Sequence, residues 1–453
     1  DWPTCYGNLE IPVDLQGQLE AGHRILAFLS GLAVFGTTVW AFLAKGTRKS
    51  VRIFLGLASV GIVVSALVGR TLVFSLATSM TSNVHLGLAL MVMALVTAAA
   101  VSGTSYNPQP AGAKRNNSFE RLAVTALVIT FFLMISGAWL TTSGAGEACV
   151  GWPLCNGALP GNASAWLAFS HRLITLAAGI SVLALFLTAW KHYFRNPLIL
   201  TGATGTALLF AGQVLISALK VSQGYPLDLV GLHAAATAAL WGALVITVVA
   251  ARDGIDVTGV VGENRPVGMA RFKAFLQLNK PIIVVLLLVT TFAGMVVGGR
   301  QMPEFWLAFW PLLGGALAAG GASALNQVID REIDGHMQRT AKRPLPSGAL
   351  TPGEGLAYGL GACLAAFFIL AGFVNLLAAV LSLAGMIYYV LLYSVWLKHA
   401  TVQNIVIGGG AGAIPPLVGW AAASGSLNIP SLFLFAIVFM WTPPHFWALA
   451  LVR

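Results

Sequence analysis

Asn326, Asp330 and Asp334 recur at every fourth position within the run NQVIDREIDGHMQRTAKRPL, residues 326–345. On a helix that spacing stacks three oxygen-bearing side chains along one face. Arg339, Lys342 and Arg343 follow at once, and Pro344 and Pro346 are expected to stop the helix. Carboxylates with cations beside them suit a diphosphate bridged by Mg²⁺, because hard oxygen ligands hold the ion and the cations neutralise phosphate oxygens. Lys398, at the end of a later apolar run, is a further candidate phosphate contact. A lone DxxxD reads more often as a solvated helix end. Asn, two Asp and a basic tail together outweigh that reading.

A second chemical set lies in the first 250 residues. His23 and His171 are 148 positions apart, as are His85 and His233 (171 − 23 and 233 − 85), so 62 residues separate the members of each pair. The surrounding wording repeats too: GHRILAFLSGLAV against SHRLITLAAGISV, and DWPTCYGNL against GWPLCNGAL. Such self-similarity marks a duplicated bundle of four helices per half. Neutral imidazole ligates haem iron, and ionisable groups inside a membrane mark functional sites. One histidine near a membrane edge is more often just hydrogen-bonded; four at a repeated spacing are not. Glu20 stands one helical turn before His23, whereas its counterpart in the second half is Ala168. That carboxylate fits a reactive site in the first half beside a non-reactive cofactor in the second. It fits equally a helix-start residue favoured by the dipole. Arg24 and Arg172 directly follow histidines and suit haem propionates, though snorkelling is the commoner use.

These residues must be positioned by membrane helices. The chain is 57% hydrophobic and 9% charged, with mean hydropathy +0.83. That composition excludes a soluble globular protein. Apolar windows long enough to span fall at roughly 19–44, 52–69, 83–104, 119–142, 166–190, 197–219 and 227–250, then 281–299, 303–325, 354–374, 376–396, 402–422 and 430–452. Alternating the loops puts 20 of the 25 lysines and arginines on one side, which the positive-inside rule makes cytoplasmic. The net charge of +10 is therefore a topology signal, and no nucleic-acid partner is expected. The acidic run then faces the cytoplasm and the cysteine loops face out. Cys149 and Cys155 flank a short outer loop and suit a disulfide. Cys5 matches Cys155 in the repeat, and Cys363 reads as a core residue. A polar stretch at 251–272 reads as a cytoplasmic linker. Gly408 to Gly412 suit close helix packing, and His445 reads slightly better as a packed histidine than as a haem contact.

Residues 273–453 resemble the UbiA-type prenyltransferases, and within them the protohaem IX farnesyltransferase (haem O synthase) family. The resemblance is carried by NQVIDREIDGHMQRTAKRPLPSG, WLKHATVQNIVIGGGAGAIPPLVGWAA and WTPPHFWALAL. His399 departs from the family's second basic residue. The chain stops at Arg453, before the family's second acidic motif and last helices, so this part is expected to be incomplete. Residues 1–250 resemble haem A synthase through the repeat, the histidine pairs and the ExxH at Glu20. The chain opens on Asp in what reads as the middle of a loop, so a preceding first helix is expected to be missing.

Together these resemblances imply an all-α polytopic membrane protein: a duplicated four-helix-bundle haem domain (1–250), the linker (251–272) and an incomplete UbiA-type helical prenyltransferase domain (273–453). They imply that the second part farnesylates haem b from farnesyl diphosphate to give haem O, with Mg²⁺ on Asn326, Asp330 and Asp334. Arg339, Lys342, Arg343 and Lys398 would lie on the diphosphate. The first part would oxidise a haem O methyl to formyl, giving haem A, with Glu20, His23 and His85 at the substrate and His171 and His233 on haem b. A bacterial cell (inner) membrane, and a homo-oligomer or association with terminal oxidase assembly, are the expected setting. The competing reading is a bis-histidine electron-transfer cytochrome fused to a prenyltransferase of an aromatic quinone precursor.

Overall fold

The computed structural model describes residues 14–73, 78–104, 117–149, 154–155, 159–224, 226–253 and 266–452. Cys5 and most of the linker lie outside these residues. The elements are helical throughout: α1 (Leu15–Leu43), α2 (Lys49–Val73), α3 (Ser79–Gly103), α4 (Asn117–Thr142), α5 (Ala163–His192), α6 (Pro197–Ser222) and α7 (Leu227–Asp253). There follow α8 (Gly268–Leu278), α9 (Pro281–Gly299), α10 (Phe305–His336), α11 (Pro352–Phe373) and α12 (Leu376–Ile387). A π-helical run, Tyr388–Leu397, leads into the short α13 (Lys398–Ala400), then α14 (Asn404–Ser424) and α15 (Ile429–Val452). Among the described residues, 13 helices are long and apolar enough to cross a membrane. The protein is an all-α polytopic membrane protein.

The 148-residue repeat survives as geometry. The starts of α1, α2 and α3 at Leu15, Lys49 and Ser79 recur 148 positions later as the starts of α5, α6 and α7, at Ala163, Pro197 and Leu227.

By packing, the chain divides into two units: Asp1–Thr188 with Thr237–Asp256, and Ala189–Ala236 with Val257–Arg453. In the first, Ala41, Val51, Leu55 and Ala99 form a core joining α1, α2 and α3. The basic residues in and just after the α1–α2 loop have a local reason to be there. Arg52 donates to the carbonyls of Ala41 and Ala44 (3.1 and 3.2 Å), and Arg48 donates to that of Ser102 (3.0 Å). Cations thus satisfy the orphan carbonyls at the ends of α1 and α3. Trp241 of α7 donates its indole N–H to the Leu90 carbonyl of α3 at 2.8 Å. Leu26, Phe28 and Leu29 of α1 stay exposed, the apolar face that a bilayer solvates.

In the second unit, close approach is made by small residues. A methyl added at Gly419 of α14 would run into the Thr291 carbonyl of α9, and one at Gly294 into that of Pro416. α10 and α11 meet where Gly321 backs onto Gly359 and Cys363. Thr351 and Glu354 form a capping box at the start of α11. The fully buried Glu354 also receives Arg271 of α8 at 2.6 Å, which ties α8 to α11.

One expectation needs correcting. α10 runs through the acidic residues but ends at His336, well before Pro344. Met337 leaves the helix in extended conformation, and the Thr340 hydroxyl donates to the Asp334 carbonyl at 2.8 Å. That local bond competes with helix continuation and turns the basic tail back on itself.

Candidate functional site

Asn326, Asp330 and Asp334 are buried, at 4, 4 and 5% exposure. Their shared face is turned into the helix packing, so each polar atom needs a partner there. The Asn326 amide nitrogen donates to Asp330 Oδ2 (2.9 Å) and to Ser394 Oγ (3.0 Å). Lys398 Nζ reaches Asp330 Oδ2 at 2.7 Å, and Arg343 Nη1 reaches Asp334 Oδ2 at 2.7 Å. Asp330 Oδ1 is buried without a partner.

The π-helical run explains Ser394 and Lys398. Ser394 Oγ donates to the Tyr389 carbonyl five residues back, at 2.9 Å. Such π-turns insert a residue and re-aim the side chains beyond it, often at functional sites. Here the result brings a hydroxyl and an ammonium onto α10.

Lys280 also joins the cluster, and the motif reading did not include it. Its Nζ donates to Asn326 Oδ1 at 2.9 Å. It precedes Pro281, which bars the right-handed helical region, and its backbone is left-handed at φ 49°. That conformation costs a non-glycine residue about 1–3 kcal/mol and is found where surroundings impose it. Burial pulls its ammonium down to about 8; Arg343 and Lys398 push the same way, while Asp330 and Asp334 oppose them. The sequence signal was a lysine directly before the proline that opens a span. Ser394, one serine in an apolar run, gave none.

Of the other basic candidates, Arg339 and Lys342 are exposed and lie outside this cluster. The cluster can therefore surround a small, highly charged anion with three cations, and it offers carboxylate and amide oxygens to a hard cation.

In the first unit, His23 of α1 and His85 of α3 face each other, ring centroids 6.3 Å apart and planes at 74°. Two imidazoles joined head-on through one metal, with metal–nitrogen bonds of roughly 2 Å, place their centres about that far apart. Glu20 lies 3.7 Å from Arg24 and is half-exposed, at the end of α1 that carries His23. His171 of α5 contacts Ser136 of α4 through Nδ1 at 2.8 Å. In the second unit, Gln213 of α6 donates to the His233 carbonyl at 2.9 Å. Gln213 is the repeat counterpart of Ser65, whose carbonyl lies 3.0 Å from His85 Nδ1. Each half thus braces its second histidine from the same position of the preceding helix.

Cys149 and Cys155 form a disulfide packed on Ala168, and Arg172 donates to the Cys149 carbonyl at 2.8 Å. His445 of α15 stacks on Trp441 at 4.4 Å.

Comparison with known proteins finds relatives for both parts. Residues 15–245 match the family described as cytochrome oxidase assembly protein, and residues 287–453 match the UbiA prenyltransferase family. A protoheme IX farnesyltransferase of Roseiflexus sp. (strain RS-1) is 39% identical over 362 residues, 75% of this chain and 67% of its own length. Those of Chloroflexus aurantiacus and Thermus thermophilus are 34 and 35% identical, each across 100% of this chain and 76% of their own length. The chain spans about two thirds to three quarters of these relatives. It belongs to the protoheme IX farnesyltransferase family, as a fusion of a cytochrome oxidase assembly part with a UbiA prenyltransferase part.

Proposed function

We propose that the chain carries two successive steps of haem A biosynthesis. The second part transfers the farnesyl group of farnesyl diphosphate to haem b, giving haem O. The first part oxidises a haem O ring methyl to formyl. Carrying this reading is the cluster of Lys280, Arg343 and Lys398 around Asn326, Asp330 and Asp334, in a chain that also sets His23 against His85.

In the farnesyl step the diphosphate leaves with its C–O bond electrons. Lys280, Arg343 and Lys398 stabilise that departing charge from half-buried positions held by Asn326, Asp334 and Asp330. The allylic cation left behind is attacked by a haem vinyl group, and the new cation beside the porphyrin ring is quenched by water, whose proton goes to solvent. The donor set fits Mg²⁺: the unpartnered Asp330 Oδ1, with Asp334 and the Asn326 amide oxygen, offers hard oxygens, and this ion keeps water and substrate oxygens for the rest. Mg²⁺ held by these oxygens would neutralise charge on the diphosphate. Arg339 and Lys342, exposed beside the cluster, meet the anion as it enters.

In the first part, His23 and His85 would hold the substrate haem with Glu20 beside them, and His171 and His233 would hold haem b. The 6.3 Å between the ring centroids of His23 and His85 supports that placement. The sequence divides into the haem part at 1–250, the linker at 251–272 and the prenyltransferase part at 273–453. The crowded basic loops support a cytoplasmic acidic cluster in a bacterial inner membrane, with the disulfide loop outside. Two-step synthesis is tested by expressing the chain in membranes lacking haem O and haem A, then extracting pigment and weighing it by mass spectrometry. Haem O and haem A masses are expected; haem b alone, with a prenylated quinone precursor, would favour the cytochrome reading.

A further inference from the structure

The histidines His85 and His171 are held alike at their rings. His85 Nδ1 lies 3.0 Å from the Ser65 main-chain carbonyl and 3.4 Å from its hydroxyl. A carbonyl only accepts, so Nδ1 of His85 carries the hydrogen. His171 Nδ1 lies 2.8 Å from Ser136 Oγ, and that hydroxyl spends its one hydrogen on the Leu133 carbonyl at 2.9 Å. A hydroxyl engaged in that way accepts from its other neighbour, the pairing that goes with a hydrogen on Nδ1 of His171. In both rings the lone pair then belongs to Nε2. The ring edges are seated alike too: a Cβ at Gly69 would meet His85 Cε1 at 3.0 Å, and one at Gly137 would meet His171 Cε1 at 3.0 Å.

Resting on the haem reading above, we infer that Ser136 and the Ser65 carbonyl are positioning groups that fix these histidines in the tautomer ligating iron through Nε2. Gly137 and Gly69 keep clear the space each ring edge occupies. The serine, glycine and histidine come from neighbouring helices, α2 with α3 and α4 with α5, so helix packing sets the ring before haem arrives. An acceptor on Nδ1–H also pushes electron density into the ring, which makes the imidazole a stronger donor to iron. A stronger donor favours the ferric state and lowers the reduction potential.

The test uses the full chain purified with its resident haem b, and reads midpoint potential and the low-spin absorption spectrum. Ser136→Ala is expected to raise the potential of the His171 haem, and Ser136→Thr, which keeps a hydroxyl, to restore it. Gly137→Ala is expected to perturb the low-spin spectrum by displacing the ring. Loss of haem from Ser136→Ala but not from Ser136→Thr reads the same positioning role as occupancy. An unshifted potential in a fully loaded Ser136→Ala protein overturns the inference, as does loss of haem from both Ser136 variants. His171→Ala separates the two layers: an unchanged spectrum there overturns the haem reading and this inference together. Loss of that haem with an unshifted Ser136→Ala overturns this inference alone.

Discussion

Lys280 donates to Asn326 Oδ1 at 2.9 Å, so a residue at the mouth of α9 orients the first side chain of the polar face of α10. With its oxygen held there, the Asn326 amide nitrogen is turned to Asp330 and Ser394. Replacing Lys280 by alanine frees that side chain and removes one of the three cations of the cluster. A hydrogen bond to a charged group contributes about 1.5–3 kcal/mol, so kcat/KM for farnesyl transfer is expected to fall roughly 10- to 100-fold. Radiolabelled farnesyl diphosphate and membranes containing Lys280→Ala give the measurement. Wild-type kinetics there would remove Lys280 from the site.

Arg343 and Lys342 are sequence neighbours with different surroundings. Arg343 folds back to Asp334 at 2.7 Å, whereas Lys342 is exposed. Arg343→Ala leaves a buried carboxylate without its partner, a change that costs about 3–5 kcal/mol when the pair is fully buried and less for this partly exposed arginine. Farnesyl transfer should collapse in Arg343→Ala, while Lys342→Ala, whose exposed ammonium meets the anion only on entry, should fall far less and chiefly through KM. Equal losses in the two variants would mean that the basic tail reorganises around the diphosphate.

How far the sequence revealed this arrangement depends on the interaction involved. The spans follow from apolar run length alone, because a bilayer demands it. The repeat was legible because both halves keep the same helix starts, and Asn326, Asp330 and Asp334 because helical periodicity is local. Lys280 and Ser394 were not, since nothing local says which cation or hydroxyl a neighbouring helix will deliver. Ser394 depends on a π-turn at Tyr388–Leu397 that no residue type in that run demands. The stop at His336 was missed because a hydroxyl–carbonyl bond at Thr340, rather than Pro344, ends α10.

The contact of α9 with α14 is closer than side chains allow. A Cβ at Gly419 would collide with the Thr291 carbonyl, which is backbone and has little room to give. Gly419→Ala should therefore separate the helices at a cost of about 1–3 kcal/mol, the usual range for overpacking. Gly412, where an added Cβ meets nothing within 4 Å, is the control on the same helix. Thermal unfolding in detergent should show a lowered Tm for Gly419→Ala and an unchanged one for Gly412→Ala. Matching curves would place the helices farther apart than they stand here.

Glu20 and Arg24 lie one turn apart on α1 at 3.7 Å, and Glu20 is 55% exposed in its side chain. An exposed pair of this kind contributes about 0–1 kcal/mol to stability, so stability alone gives little reason for the carboxylate. It does sit a turn from His23, which faces His85, where a proton acceptor would serve oxidation of the haem methyl. General acid–base groups typically contribute about 10²- to 10⁴-fold, so Glu20→Ala should retain haem b while formyl haem output falls by at least roughly 100-fold. Arg24→Ala, which breaks the same ion pair, should leave that output within a few-fold. Haem extracted from both variants and resolved by mass gives the ratio of haem A to haem O. Haem O accumulating only in Glu20→Ala would assign the carboxylate to the oxidation step. Normal haem A from that variant would leave Glu20 as a helix-start residue.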